Sequence, residues 1–279
     1  MIIALQIILG LAFGSFLNVL TIRYQPEMGM KSFLRARGRS ACRHCKRTLA
    51  WFELIPVASF LMLRGKCRTC KQNISLQYPL IEILTAVLAV TLPFAFSGAA
   101  LALWYAASLV FITLSVIDIK WHIIPDEANI LIMVLGIGYA VIQNIENSFG
   151  LVRGSFLGHY ALIFGFRENV WSNHIFGSVV AALLFGVVIL LTRGRGMGLG
   201  DFKLAATAGL LVGWPDILLA LMIAFILGSV VGLAMIATRK KSLKSALPFG
   251  PFIVIGMYIV IFWGKYILDG YFLIVNSIV

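Results

Sequence analysis

Long apolar runs alternate with short polar segments along this chain, and their lengths set the first expectation. Runs near the ~20 residues that an α-helix needs to cross a bilayer recur from one end to the other. The pattern predicts a first span over about Ile2–Val19, then a polar loop from Arg23 to Gln77. Spans 2 and 3 follow at about Leu80–Phe96 and Ala99–Ile117, hinged at Ser97-Gly98, and span 4 at about Ala128–Ile145. A second polar stretch, Glu146 to Asn173, precedes span 5 at about Ile175–Leu191. Spans 6 and 7 (Leu204–Val212 and Ile217–Ile236) are divided by Gly213-Trp214-Pro215-Asp216, a turn by its Gly and Pro content. Span 8 opens at Pro248-Phe249-Gly250-Pro251 and runs to about Ile267. Span 6 is short, so seven spans with one re-entrant segment is the alternative to eight. The expectation is an all-α polytopic membrane protein divided into a first helix (1–22), a polar loop domain (23–78) and a helical core (79–279).

Composition agrees. Of 279 residues, 61% are hydrophobic and 12% charged, and the mean hydropathy is +0.97. A soluble globular chain is excluded, and the short alternating segments of a membrane barrel are missing. No basic segment precedes the first span and no Ala-x-Ala site follows it, so it reads as a retained helix.

A net charge of +12 raises the prospect of a nucleic-acid partner, but its distribution points to a membrane. Twelve Lys/Arg lie between Arg23 and Lys71; with Lys120, Arg193, Arg195, Lys203, Arg239, Lys240, Lys241 and Lys244, one side of an eight-span arrangement holds 20 of 23. The positive-inside rule then places the N-terminus outside and the polar loop in the cytoplasm. No nucleic acid is expected.

The loop holds all four cysteines, as Cys42-x-x-Cys45 and Cys67-x-x-Cys70. Thiolates at i and i+3 of a tight turn occupy two corners of a tetrahedron, and two such turns make a four-cysteine structural zinc site. Disulfides are the other reading, disfavoured in a reducing compartment. Four protein ligands leave no open position for metal catalysis.

Only 11 residues are acidic. Asp118 ends span 3 and Asp201, in Gly198-Leu199-Gly200-Asp201-Phe202-Lys203, opens span 6. Ionisable groups at such depth are expensive and functional by default, and both fall on the cytoplasmic side, so they are expected to meet. Glycines at 198 and 200 would let backbone or substrate come close. Asp126, beside Pro125, reads as a helix start or a substrate-positioning group. The four histidines are scattered, and no Ser–His or Cys–His arrangement competes. An ion-coupled transporter would set its carboxylates near the midplane. A membrane-anchored zinc scaffold would leave both aspartates idle.

The chain resembles the type IV prepilin peptidases, bifunctional leader peptidases and N-methyltransferases. The shared segments run nearly end to end: Gly14-Ser15-Phe16-Leu17-Asn18-Val19, both cysteine pairs, Glu53-Leu54-Ile55-Pro56, Arg64-Gly65-Lys66-Cys67, Tyr78-Pro79-Leu80-Ile81-Glu82, Ile117-Asp118, Ile124-Pro125-Asp126, Gly196 through Lys203, and Pro248-Phe249-Gly250-Pro251. The resemblance implies an inner-membrane aspartic peptidase with Asp118 and Asp201 as its catalytic pair. Its substrates would be type IV prepilins and pseudopilins, cut after the glycine of a short basic leader at the cytoplasmic face. It also implies methylation of the new N-terminus with S-adenosylmethionine, for which Gly65 and Lys66 are the first candidates; a peptidase without methyl transfer is the alternative. Glu53 and Glu82 are candidates to anchor the leader, with Asp126, Gly198, Gly200 and Lys203 as further positioning residues.

Overall fold

The computed structural model describes residues 1–29, 32, 38–146, 155–164, 169–194, 196–238 and 247–278. Ten of the cations counted for orientation (Lys31, Arg35, Arg37, Arg153, Arg167, Arg195, Arg239, Lys240, Lys241 and Lys244) lie outside the described residues, as does part of the polar stretch 146–173.

Among the described residues all regular structure is helical, apart from three isolated β-bridges. The helices are α1 (Ile2–Arg23), α2 (Ala58–Met62), α3 (Gln77–Thr91), α4 (Gly98–Trp121), α5 (Asp126–Ile145), α6 (Ala161–Phe164), α7 (Val170–Thr192), α8 (Leu199–Val212), α9 (Asp216–Ala237) and α10 (Gly250–Ile278). Seven of them, α1, α3, α4, α5, α7, α9 and α10, are long and apolar enough to cross a membrane. The expected sixth span is α8, with 14 residues. The chain divides into two compact units, Met1–Thr113 and Leu114–Val279.

In the first unit α1 lies antiparallel on α3. Asn18 Nδ2 donates to the Tyr78 carbonyl at 3.0 Å. A Cβ on Gly14 would sit 2.6 Å from the Glu82 Cα, and one on Gly10 2.5 Å from the Ala86 Cα. Small residues four apart bring two backbones together where lipid supplies no hydrophobic drive. The small and polar residues of this helix thus serve its packing on α3.

In the second unit α8 runs beside α5 and α7. A Cβ on Gly209 would lie 2.5 Å from the Gly177 carbonyl oxygen of α7, and one on Gly136 of α5 3.2 Å from the Leu211 nitrogen. At the end of α8 away from Asp201, buried His174 reaches the Leu210 carbonyl (Nδ1, 2.7 Å) and Gln143 Oε1 (Nε2, 2.9 Å). Buried Asp216, at the start of α9, accepts from Ser155 Oγ at 2.9 Å and from the Leu157 N–H at 3.2 Å. That end of the unit is thus a set of satisfied polar ties, as buried polar groups require. Gly213, at φ +84°, makes the turn expected there.

Candidate active site

The sequence ends span 3 at Ile117, but α4 continues to Trp121, so Asp118 is a helical residue, 4% exposed. His122, with φ +52°, stops the helix. Ile124-Pro125 then turns the chain into α5 at Asp126, with Pro125 as N-cap, where the sequence placed a helix start.

Each of the two aspartates caps a helix. The first N–H groups of an α-helix have no partner inside it and carry the positive end of its dipole, so an anion fits there. The Gly250 N–H at the start of α10 donates to Asp118 Oδ2 at 3.1 Å. The Gly198 N–H, at the N-cap of α8, donates to Asp201 Oδ2 at 3.3 Å. Ile124 packs between these two helix starts. A Cβ on Gly200 would meet its Cβ at 3.2 Å, and a Cβ on Gly250 would meet its Cδ1 at 3.4 Å. Two carboxyls 83 positions apart in the sequence therefore face one small region, each with one oxygen held by main chain.

Lys203 and Asp126 form a second tie between α8 and α5. Lys203 Nζ contacts Asp126 Oδ1 at 2.8 Å and Oδ2 at 2.9 Å. Three residues further along α5, Asn129 is 4% exposed, and neither end of its amide has a hydrogen-bond partner among the described residues. Ser115 Oγ, three residues before Asp118, is likewise unpartnered. Leaving such a group unsatisfied costs about 1–3 kcal/mol. Sequence reasoning passed over Asn129 and Ser115, because an amide or hydroxyl in an apolar span carries no charge to draw the eye. It quoted Gly250 without giving it a task.

The cysteines come together as expected. All four sulfurs lie within 4.8 Å of one another, and none is in a disulfide. Ligands ~2.3 Å from a tetrahedral zinc would stand about 3.8 Å apart, and Cys42 and Cys70 Sγ are 3.8 Å apart. The cluster can hold a metal ion, and its geometry fits zinc. Main-chain N–H groups of Cys45 and His44 lower the Cys42 thiol. Those of Cys70 and Thr69 bring Cys67 down to about 6. Such groups favour the thiolate, the form that binds metal.

The two knuckles are one structure used twice. Cys42-Arg43-His44-Cys45-Lys46 and Cys67-Arg68-Thr69-Cys70-Lys71 share Cys-Arg-x-Cys-Lys. Lys46 and Lys71 both have positive φ, at 57° and 59°. The bridges Ala41–Thr48 and Lys66–Asn73 close them in the same way.

The remaining sequence candidates have local partners. Glu53 accepts from Arg47 at 2.5 Å and from the Ala50 N–H at 2.8 Å. The Arg47 guanidinium first, and that N–H second, hold its carboxyl below the usual range. Glu82 accepts from the Val57 N–H at 2.8 Å. Gly65, at φ +67°, donates to the Phe60 carbonyl and accepts from the Ile74 N–H, so its main chain is fully used in the turn before the second knuckle. Lys66 is exposed.

Comparison with known proteins finds two matching segments. The profile of the bacterial peptidase A24 N-terminal domain matches residues 8–96, which include the four cysteines. That of the type IV leader peptidase family matches residues 105–233, which include both aspartates. The prepilin leader peptidase/N-methyltransferase of Pseudomonas aeruginosa is 30% identical over 290 residues, covering 95% of this chain and 91% of that protein. Those of Legionella pneumophila and Burkholderia pseudomallei are 33% and 32% identical, covering 84% and 94% of this chain and 75% and 85% of their own lengths. No solved structure gives a significant match. From its matches to both halves and its kinship along nearly all its length, the chain belongs to the type IV leader peptidase family of membrane aspartic peptidases.

Proposed function

We propose that this protein removes the short basic leader from type IV prepilins and pseudopilins, cutting after a glycine at the cytoplasmic face of the inner membrane. Asp118 and Asp201 are its catalytic carboxyls. The observation that carries this reading is that both cap the starts of helices that pack on the same side chain, Ile124.

The chemistry follows from a carboxyl pair sharing one proton. The ionised member takes a proton from water, and the hydroxide adds to the scissile carbonyl carbon. The protonated member donates to the carbonyl oxygen; as the C–N bond breaks, the proton taken from water passes to the amine, and the new carboxyl returns a proton to the pair. Gly250 and Gly198 fix one oxygen of each carboxyl, leaving the other for water and substrate. Asp126 and Lys203, paired two positions beyond Asp201, tie the starts of α5 and α8 together, while Gly200 gives Ile124 its close seat. The titration belongs to the pair.

The four cysteines hold a structural zinc ion that braces the loop. The relatives' names support a second activity, methylation of the new N-terminal amine, for which S-adenosylmethionine supplies the methyl group when bound. At the first candidate place, Lys66 is the side chain left to serve it, since the Gly65 backbone is engaged. Further expectations are an N-terminus outside, the loop and site on the cytoplasmic side, and glutamates 53 and 82 shaping the loop against which the leader lies.

The test is incubation of detergent-solubilised protein with a prepilin, read by mass spectrometry of the product N-terminus. Asp118→Asn and Asp201→Asn should each lower cleavage by about 100-fold or more, the scale of a lost general acid or base. A folded variant that still cleaves at the parent rate overturns the assignment. A cleaved but unmethylated product removes the methyl-transfer half alone.

A further inference from the structure

Between the two knuckles the chain is built with two faces. In residues 51–62 every exposed position is apolar: Trp51, Leu54, Ile55, Ala58, Leu61 and Met62. Trp51 is 78% exposed, Leu61 67% and Met62 77%. Residues 51–54 form a 3-10 turn, in which i and i+3 share a side, so Trp51 and Leu54 project together. The other side turns inward. Phe52 lies under the Arg68 guanidinium at 5.4 Å, Glu53 binds Arg47, and the Phe60 ring packs on Gly65.

The knuckles show the opposite surface. Arg39, Arg43, Lys46, Arg64, Lys66, Arg68 and Lys71 are basic, and most of them are exposed. The single acid between residues 38 and 75 is Glu53, buried against Arg47. The exposed charge of this segment is therefore wholly positive and flanks the apolar stretch on both sides along the chain.

A third observation ties the patch to a spanning helix. The Val57 N–H donates to Glu82, a residue inside the spanning helix α3. Glu82 is five residues past the helix start at Gln77, about 7.5 Å along its axis. That helix also starts with exposed apolar residues, Leu76 at its N-cap and Leu80 in its first turn, 66% and 63% exposed.

We propose that the face formed by Trp51, Leu54, Ile55, Leu61 and Met62 is seated in the headgroup layer of the bilayer, with the surrounding cations on anionic lipid. An interfacial segment sinks its apolar side about 5–10 Å into the headgroup and acyl boundary, the depth at which Glu82 holds Val57. Basic residues beside it gain from the negative surface potential. The zinc loop is then a plate lying on the membrane, anchored between α1 and α3.

The experiment uses the full-length, zinc-loaded protein in nanodiscs of phosphatidylcholine and phosphatidylglycerol. The Trp51 signal is the difference in emission between the parent and Trp51→Phe, in which the other five tryptophans cancel. The expected component is blue-shifted, quenched by acyl-chain-brominated lipid and insensitive to acrylamide. Leu61→Glu and Met62→Glu should shift it to the red and open it to acrylamide while the zinc content stays unchanged. Removing phosphatidylglycerol should weaken the lipid quenching. A Trp51 component quenched by acrylamide and indifferent to brominated lipid overturns the proposal. So does one that changes only when a prepilin is added, which gives the face to substrate.

Discussion

The main-chain N–H of Gly250 donates to Asp118 Oδ2 at 3.1 Å across 132 positions of sequence. Gly250 is required there by space as well as direction, since a Cβ on it would lie 2.9 Å from that same oxygen. In Gly250→Ala the helix gains intrinsic propensity but the carboxylate is displaced. Cleavage should fall by roughly 100-fold, the scale of a misplacement near 1 Å, with the melting temperature close to the parent. A rate equal to the parent would show that Asp118 needs no such cap.

Asp126 and Lys203 pair through both carboxylate oxygens, yet their side chains are 64% and 47% exposed. Exposed pairs contribute about 0.2–1 kcal/mol. Asp126→Ala, Lys203→Ala and the double variant should show a coupling of that size in denaturant unfolding. The reversed pair, Asp126→Lys with Lys203→Asp, should recover part of it. A coupling of several kcal/mol would mean a drier environment than the exposure indicates.

Glu53 has its carboxyl held below the usual range, chiefly by Arg47. A depressed folded-state value adds stability above the unfolded value, which is lost as pH falls through the folded one. Acidification below about pH 4, the ordinary range for Glu, should therefore loosen the cysteine loop, and Glu53→Gln should weaken it at neutral pH and flatten that dependence. Zinc retention against pH, compared between the two proteins, measures this. The thiolates also bind protons in acid, so the difference between the curves is the quantity that reports on Glu53.

Asn129 presents an amide with no partner among the described residues on a buried face. Replacing an unsatisfied buried polar group with an apolar one of similar size should gain about 1–3 kcal/mol. Asn129→Leu is expected to melt higher than the parent, and to cleave more slowly where the amide serves the peptide or the water of the reaction. A variant that is both more stable and fully active would leave Asn129 with no task in the reaction.

The chain's own letters went furthest where physics is local. Apolar runs announced every span, the Pro125 start and the Gly213 turn fell where expected, and the cysteine spacing anticipated the cluster. Boundaries slipped where polar residues are helical. Asp118 lies within α4, and α8 begins at Leu199, because the Asp201 carboxylate caps its own helix and draws the polar first turn into it. The Gly250–Asp118 contact was hidden, since it depends on which helix end arrives beside α4. The doubled Cys-Arg-x-Cys-Lys segment was readable at a spacing of 25, but the cysteines alone carry the metal signal and the flanking cations do not.

At 14 residues, α8 is about 21 Å long, while the hydrocarbon layer is about 30 Å thick. Beyond Lys203 none of its residues is exposed, so neighbouring helices, not lipid, cover the length it lacks. On the proposed function, so short a helix lets Asp201 stand below the membrane surface with no channel bored through the protein.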